Sequence, residues 1–219
     1  MQPATDPTIN YKELVQQSYD RCAAAYETAR RGTTNPELAL LLERLPLSAQ
    51  VLDIGCGAGV PVTQTLAQRF TVTGVDFSTE QIQRAQRNVP TACFIQRDIM
   101  ALDWPAATFD AVVSFYTIFH LPREEHAELL RRIHTWLKPG GYLLATVSHF
   151  AEDAYTEDDF FDVTMYWSNY SLADYCRILQ GLGFTLLDTR ALGHGYNAGV
   201  EAAPESHPLI FAQRTLREE

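Results

Sequence analysis

The sequence predicts an α/β fold: a mostly parallel sheet with helices on both faces, preceded by a helical N-terminal cap. Three observations predict it. From residue 50 onward, apolar strand segments alternate with amphipathic helical segments, the pattern of β-α-β crossovers. The first strand, Val51-Leu-Asp-Ile54, is almost wholly apolar, as a strand covered on both faces must be. It runs straight into Gly55, Gly57 and Gly59, a tight turn that leaves the backbone open to a ligand, and a helix begins behind Pro61.

Taken in order, residues 1–9 read as a loose arm. From Asn10 to about Arg31, Tyr11, Leu14, Val15, Tyr19, Cys22, Tyr26 and Ala29 form one helical stripe, which Gly32 ends. Asn35 precedes Pro36 as a cap precedes a first-turn proline, and residues 36–45 form a second helix with its leucines inward. These two helices make a cap over residues 1–47. Thr63–Arg69 is a short helix, and Phe70–Val75 a second strand ending at Asp76. Ser78 caps a helix to about Asn88, with Gln81 at the capping-box position. Ala92–Ile95 is a third strand, followed by Asp98, and Phe109–Phe115 a fourth. Residues 123–136 form an amphipathic helix, Lys138–Gly141 a turn, and Tyr142–Val147 a fifth strand. Ser171 caps a helix to about Gly181. Phe184–Thr189 and Pro208–Gln213 are the sixth and seventh strands, with Gly193–Gly199 a loop between them. Neither a repeat nor a linker interrupts the chain, so residues 1–219 read as a single domain.

Residues 149–170 stand apart. They are rich in acids and aromatics and show no clean periodicity. They read as an irregular segment, either a substrate lid, as insertions after the fifth strand are in the family that the motifs below resemble, or aromatics packed beneath a solvated acidic loop.

The formal net charge of −10 argues against a nucleic-acid partner, because phosphate binding needs a basic surface. No apolar run reaches the roughly 18 residues of a bilayer span, and the N-terminus lacks a basic-then-apolar leader pattern. A cytoplasmic protein is expected, with a homodimer left open. The four cysteines are scattered, so no metal site or redox motif is expected. Cys22, Cys93 and Cys176 read as core packing, and Cys56 as a small side chain filling the glycine turn.

In such a sheet, ligands bind outside the carboxyl ends of the strands. Four strands carry polar groups there: the glycine loop, Asp76, Asp98, and the Ser114–His120 segment. The loop has G-x-G-x-G spacing, and Val60 stands where a dinucleotide fingerprint has its last glycine. Asp76 lies 23 residues beyond Asp53, where an acid is placed to accept from a ribose diol. An acid favoured by the helix dipole is the alternative. Phe77 offers an apolar face to a purine, and Asp98 an acceptor for an exocyclic amine.

These segments resemble the class I S-adenosylmethionine (SAM) methyltransferases. Asp53-Ile-Gly-Cys-Gly-Ala-Gly59 resembles their motif I and Val72-Thr-Gly-Val-Asp-Phe-Ser78 their motif II. Gln96-Arg-Asp-Ile-Met-Ala-Leu102, with Asp98 and Ile99, is similar to the adenine-contact segment. Phe109–Phe115 and Leu137–Tyr142 resemble later motifs, and the small-molecule, quinone-biosynthesis-like branch is the nearest in appearance. The resemblance implies a Rossmann-like sheet of seven strands with the last antiparallel. It also implies SAM as cofactor and S-adenosylhomocysteine as product. Gly55, Cys56, Gly57 and Gly59 would lie under the methionine end, with Asp53 near its amino group and the backbone at Ser114 and Phe115 alongside. Gln81 stands where relatives commonly place an apolar residue on the adenine. Tyr19 belongs to a segment similar to a cap-helix pattern that approaches the cofactor's carboxylate, with plain core packing as the alternative.

Methyl transfer from a sulfonium needs positioning and exclusion of water, and a base only if the acceptor must lose a proton. His149, His120 and Tyr166 are the candidate bases, and no metal is expected. The implied function is methyl transfer to a small-molecule acceptor. The alternatives are a SAM- or S-adenosylhomocysteine-binding partner protein without catalysis, and a nicotinamide-dependent oxidoreductase.

Overall fold

The computed structural model describes residues 10–33, 35–191 and 207–216. The expected arm (1–9) and the Gly193–Gly199 loop lie outside the described residues. The main sheet holds seven strands in the order β3-β2-β1-β4-β5-β9-β8. They are β1 (Gln50–Ile54), β2 (Thr71–Asp76), β3 (Cys93–Gln96), β4 (Phe109–Ser114), β5 (Leu137–Thr146), β8 (Phe184–Ala191) and β9 (Pro208–Arg214). The first five pair in parallel, whereas β9 runs antiparallel to both of its neighbours. The expected seven-stranded sheet with an antiparallel last strand is therefore present.

Alternation along each strand decides which helices cover which face. Val51, Val113, Leu144 and Phe211 face α1 (Tyr11–Arg30), α3 (Val62–Leu66) and the strand β7 (Val163–Asn169). Leu52, Val112, Leu143 and Ile210 face α5 (Arg123–Trp136) and α6 (Leu172–Leu182). Register places the functional ends level: Ile54 lies beside Val75, and Asp76 beside Gln96. The helix α4 (Thr79–Asn88) begins at Ser78, whose hydroxyl accepts from the Gln81 N–H. Buried Glu27 of α1 ties the cap to α4 through Arg84 at 2.8 Å and Asn88 at 2.8 Å.

Four expectations need correction. Residues 36–45 do not form one helix. A 3-10 turn (Pro36–Leu38) leads into a single α-turn, α2 (Ala39–Leu42). Lys138–Gly141 is not a free turn but the irregular start of β5, where the register slips between Phe109 and Ala111. Residues 149–170 are not irregular: β6 (Glu152–Phe160) and β7 form an antiparallel hairpin. Its pattern is hidden because β7 is buried along nearly its whole length while the second half of β6 carries three consecutive exposed acids, Glu157, Asp158 and Asp159, so neither strand alternates. The Ser18 hydroxyl fastens this hairpin to α1 by donating to the Thr164 carbonyl at 2.6 Å.

Cysteine burial is the fourth correction. Cys22 is buried, but Cys176 is half-buried and Cys93 is exposed, because β3 is an edge strand. Native-state labelling with a thiol reagent is expected to modify Cys93 first, with Cys22 and Cys56 reacting only on unfolding. Peptide mass mapping checks the order, and fast labelling of Cys56 would contradict it.

Candidate functional site

A cleft, partly open to solvent, lies across the carboxyl ends of β1, β2 and β4. The glycine loop forms its floor. The Gly55 and Cys56 N–H groups both donate to the Val75 carbonyl, at 2.8 and 3.1 Å, so the loop folds back over β2. Gly55 has φ +70°, and a Cβ there would stand 2.0 Å from Thr117 Oγ1. Only glycine meets both demands.

Asp76 ends β2 and joins two elements. Its Oδ2 accepts from the Gly57 N–H at 3.0 Å and its Oδ1 from the Ser78 N–H at 2.9 Å. Each carboxylate oxygen retains acceptor capacity for a ligand. Burial raises the Asp76 pKa to about 6, against the pull of those N–H groups. Asp53 is deeper, at the end of β1. It accepts from the Thr63 hydroxyl at 2.5 Å, and burial, with Asp76 nearby, raises its pKa to about 7. The two acids give this end of the cleft a demand for positive charge.

Gln81 supplies a further demand. It is 1% exposed, lines the cleft, and among the described residues neither amide atom has a hydrogen-bond partner. An unpaired buried amide costs about 1–3 kcal/mol. Gln81→Met is therefore expected to stabilise the ligand-free protein by about 1–2 kcal/mol in urea unfolding. A loss of stability would mean that the amide is satisfied after all.

At the mouth, Asp98 accepts from Lys12 Nζ at 2.9 Å and from the Met100 N–H at 2.9 Å. Lys12 also pairs with Glu125 at 2.6 Å. Burial works against the Lys12 charge, but its hydrogen bonds to Glu125 and Asp98 prevail and raise its pKa.

His120 has both ring nitrogens engaged. Nδ1 faces the Tyr166 carbonyl at 2.9 Å, and Nε2 faces the Tyr19 hydroxyl at 2.8 Å. A carbonyl only accepts, so Nδ1 carries the proton and Nε2 accepts from Tyr19. Burial lowers the His120 pKa to about 4, so the ring is neutral at pH 7. Tyr19, with its O–H spent on His120, presents oxygen lone pairs to the cleft rather than a donor for a carboxylate.

The structure brings Tyr19, Gly55, Gly57, Asp76, Phe77, Gln81, Asp98, Ile99, Phe115 and His120 to this cleft. Asp53 and Cys56 line an adjoining recess with Tyr26, Arg30 and Phe115. Gly59 lies beneath the loop, packed on Ala85 and Val89. Ser114 is fully buried and lines neither space. Two base candidates stand elsewhere. The Tyr166 ring is in the core, stacked on Tyr11 at 4.4 Å. His149 lines a separate cavity beside the hairpin. Sequence reasoning missed Lys12, while Arg97, Tyr116 and Thr117 fall within the segments Gln96–Leu102 and Ser114–His120 that it singled out without naming them. Lys12 had a signal, two turns before Tyr19 on the same helix.

Residues 51–141 match the family described as "Methyltransferase domain". The chain is 38% identical over 108 residues to 2-methyl-6-phytyl-1,4-hydroquinone methyltransferase of Synechocystis, covering 47% of this chain and 33% of that protein. It is 31% identical over 186 residues to phosphoethanolamine N-methyltransferase 3 of Arabidopsis thaliana, covering 80% of this chain and 37% of that protein. The chain thus spans between a third and two fifths of the length of these two relatives. The fold is similar to that of Burkholderia thailandensis 1,6-didemethyltoxoflavin-N1-methyltransferase, solved with its namesake compound and S-adenosylhomocysteine. There the TM-score is 0.66 at 24% identity, over 97% of this chain and 92% of that one. It is also similar to the magnesium protoporphyrin IX methyltransferase of Synechocystis, solved with SAM, at a TM-score of 0.70 and 16% identity, over 96% and 100% of the two chains.

Proposed function

Because the chain belongs to the class I SAM-dependent methyltransferase superfamily, we propose that it transfers a methyl group to a small-molecule acceptor, leaving S-adenosylhomocysteine. One observation carries this reading: the glycine loop is locked to Asp76 beside a buried Gln81 amide that lacks a partner. A nucleoside supplies what these groups lack, namely diol hydroxyls for Asp76 and polar ring edges for Gln81.

In this reading Asp76 accepts from the ribose, while Phe77, Ile99 and Gln81 surround the adenine and Asp98 accepts from its amine. The loop backbone and Asp53 hold the methionine end. Arg30 of the adjoining recess offers a cation to its carboxylate. When bound, the cofactor brings an electrophilic methyl on a sulfonium. The chain's task is to aim the acceptor and exclude water. Buried Phe115 and Tyr116 supply apolar walls for that purpose. No base is needed for an acceptor with a free lone pair. His149 serves as a base only for an acceptor seated beside the hairpin, and His120 acts by holding the Tyr19 hydroxyl.

The acids predict a pH dependence. Asp53 and Asp76 have folded pKa values raised to about 7 and about 6. Such groups favour the folded state at low pH, and that contribution is lost as pH rises through 6–7. A cationic ligand reverses the preference, since it binds the ionised acids. SAM affinity is therefore expected to fall as pH drops from 8 to 5.5, approaching tenfold per unit for each proton displaced. The thermal shift produced by SAM should shrink over the same range. A flat profile would contradict the placement of a cation beside these acids.

Transfer of tritium from methyl-labelled SAM into a metabolite extract tests the function. Labelled product supports methyl transfer. Tight SAM binding without transfer favours a non-catalytic partner protein. Binding of NADH and not SAM would overturn the reading.

A further inference from the structure

The cavity beside the hairpin has a chemistry of its own. It is partly open to solvent and is lined by His149, Glu152, Tyr155, Glu157, Trp167 and Asn169 among others. It adjoins the first cleft through rings: Trp167 packs on His120 at 4.4 Å, and His207 on Tyr116 at 5.4 Å.

Two buried groups in its wall are unsatisfied. Asn169 is 3% exposed and its Nδ2 donates to Glu152 Oε2 at 3.3 Å. That bond sets the amide's orientation and leaves Oδ1 without a donor among the described residues. Trp167 is 8% exposed, and its indole N–H has no acceptor among the described residues. Both atoms are costly to bury unpaired. Beside them stand two carboxylates, Glu152 and Glu157, and among the described residues neither pairs with a lysine or arginine. The Tyr155 phenol registers their field: burial raises its pKa, and the charges of Glu152 and Glu157 raise it further. The wall therefore asks for an N–H donor, an oxygen acceptor and a positive charge at once. An anion meets two carboxylates, and a bare hydrocarbon satisfies none of the three demands.

We propose that this cavity binds a small organic ammonium ion that also carries an acceptor oxygen. Its N–H groups lie on Asn169 Oδ1 and the Glu152 carboxylate, and its oxygen on the Trp167 indole N–H. The proposal concerns binding, and it stands whether or not the amine is itself methylated.

The test uses the full chain labelled with 15N, whose three tryptophans give three indole signals. The signals are assigned by triple-resonance spectra and checked with Trp104→Phe. Tyramine and 2-methoxyethylamine are titrated at neutral pH, with and without SAM, and 4-hydroxyphenylacetate serves as the matched anion. The expected result is a saturable shift of the Trp167 signal by an amine, with Trp104 and Trp136 unmoved, no shift by the anion, and at least fivefold weaker binding in Glu152→Gln. The proposal is overturned if neither amine moves Trp167, if the anion binds as well, or if Glu152→Gln binds as tightly as the parent. Amine binding without any SAM binding would sustain this site while sinking the methyl-transfer reading.

Discussion

Gly55→Ala is expected to destabilise the protein by about 2–5 kcal/mol and to abolish measurable SAM binding. Two costs add. The position has φ +70°, which costs an L-residue with a side chain about 1–2 kcal/mol. The new Cβ would also stand 2.0 Å from Thr117 Oγ1, 2.3 Å from its Cγ2 and 2.6 Å from its Cβ. Forcing atoms into a packed site costs about 1–3 kcal/mol through local shifts. Relief has to come from the loop, because Thr117 Oγ1 is itself engaged with the Phe115 carbonyl at 3.1 Å. Urea unfolding gives the stability change and calorimetry the affinity. Thr117→Gly in the same chain removes the obstructing atoms, so the double variant should recover the steric share and keep the backbone share. The coupling in that cycle separates the two. A Gly55→Ala protein with parental stability and SAM affinity would remove this loop from the site.

Asp76→Ala is expected to weaken SAM binding by about 2–4 kcal/mol while changing ligand-free stability by no more than about 1 kcal/mol. Hydrogen bonds to a charged group are worth about 1.5–3 kcal/mol each, and Asp76 organises the site through two of them besides any made to a ribose. Its own raised pKa means that the folded protein bears a cost for ionising it. Removing the carboxylate relieves that cost and offsets the lost bonds to Gly57 and Ser78. Asp76→Asn keeps one acceptor oxygen and should fall between the parent and the alanine variant. Calorimetric titration at pH 8, where the acid is ionised, is the measurement. Unchanged affinity in the folded alanine variant would refute the ribose assignment.

The parts of the site legible in the sequence are those that a short stretch of backbone defines. Asp53, the three glycines, Asp76 and Asp98 each sit at the end of a strand whose apolar pattern is visible, and parallel pairing then brings those ends together. The seven strands were legible for the same reason. The hairpin of β6 and β7 was not. Its buried strand and its acid-bearing strand lack the alternation by which a half-buried strand is recognised.

What the chain's order of residues determined, then, is the cofactor side: a glycine loop with acids at fixed offsets is a local object, set by turn geometry and strand period. Only the tertiary structure decided the rest. It neutralised His120 by burying it between Tyr19 and Tyr166, residues 101 and 46 positions away. It gave Asp98 a lysine from the cap helix. It also set an unpaired indole N–H and an unpaired amide oxygen into one wall of a second cavity. Protonation and hydrogen-bond satisfaction depend on which distant groups arrive and how much water they displace, and no spacing along the chain encodes that.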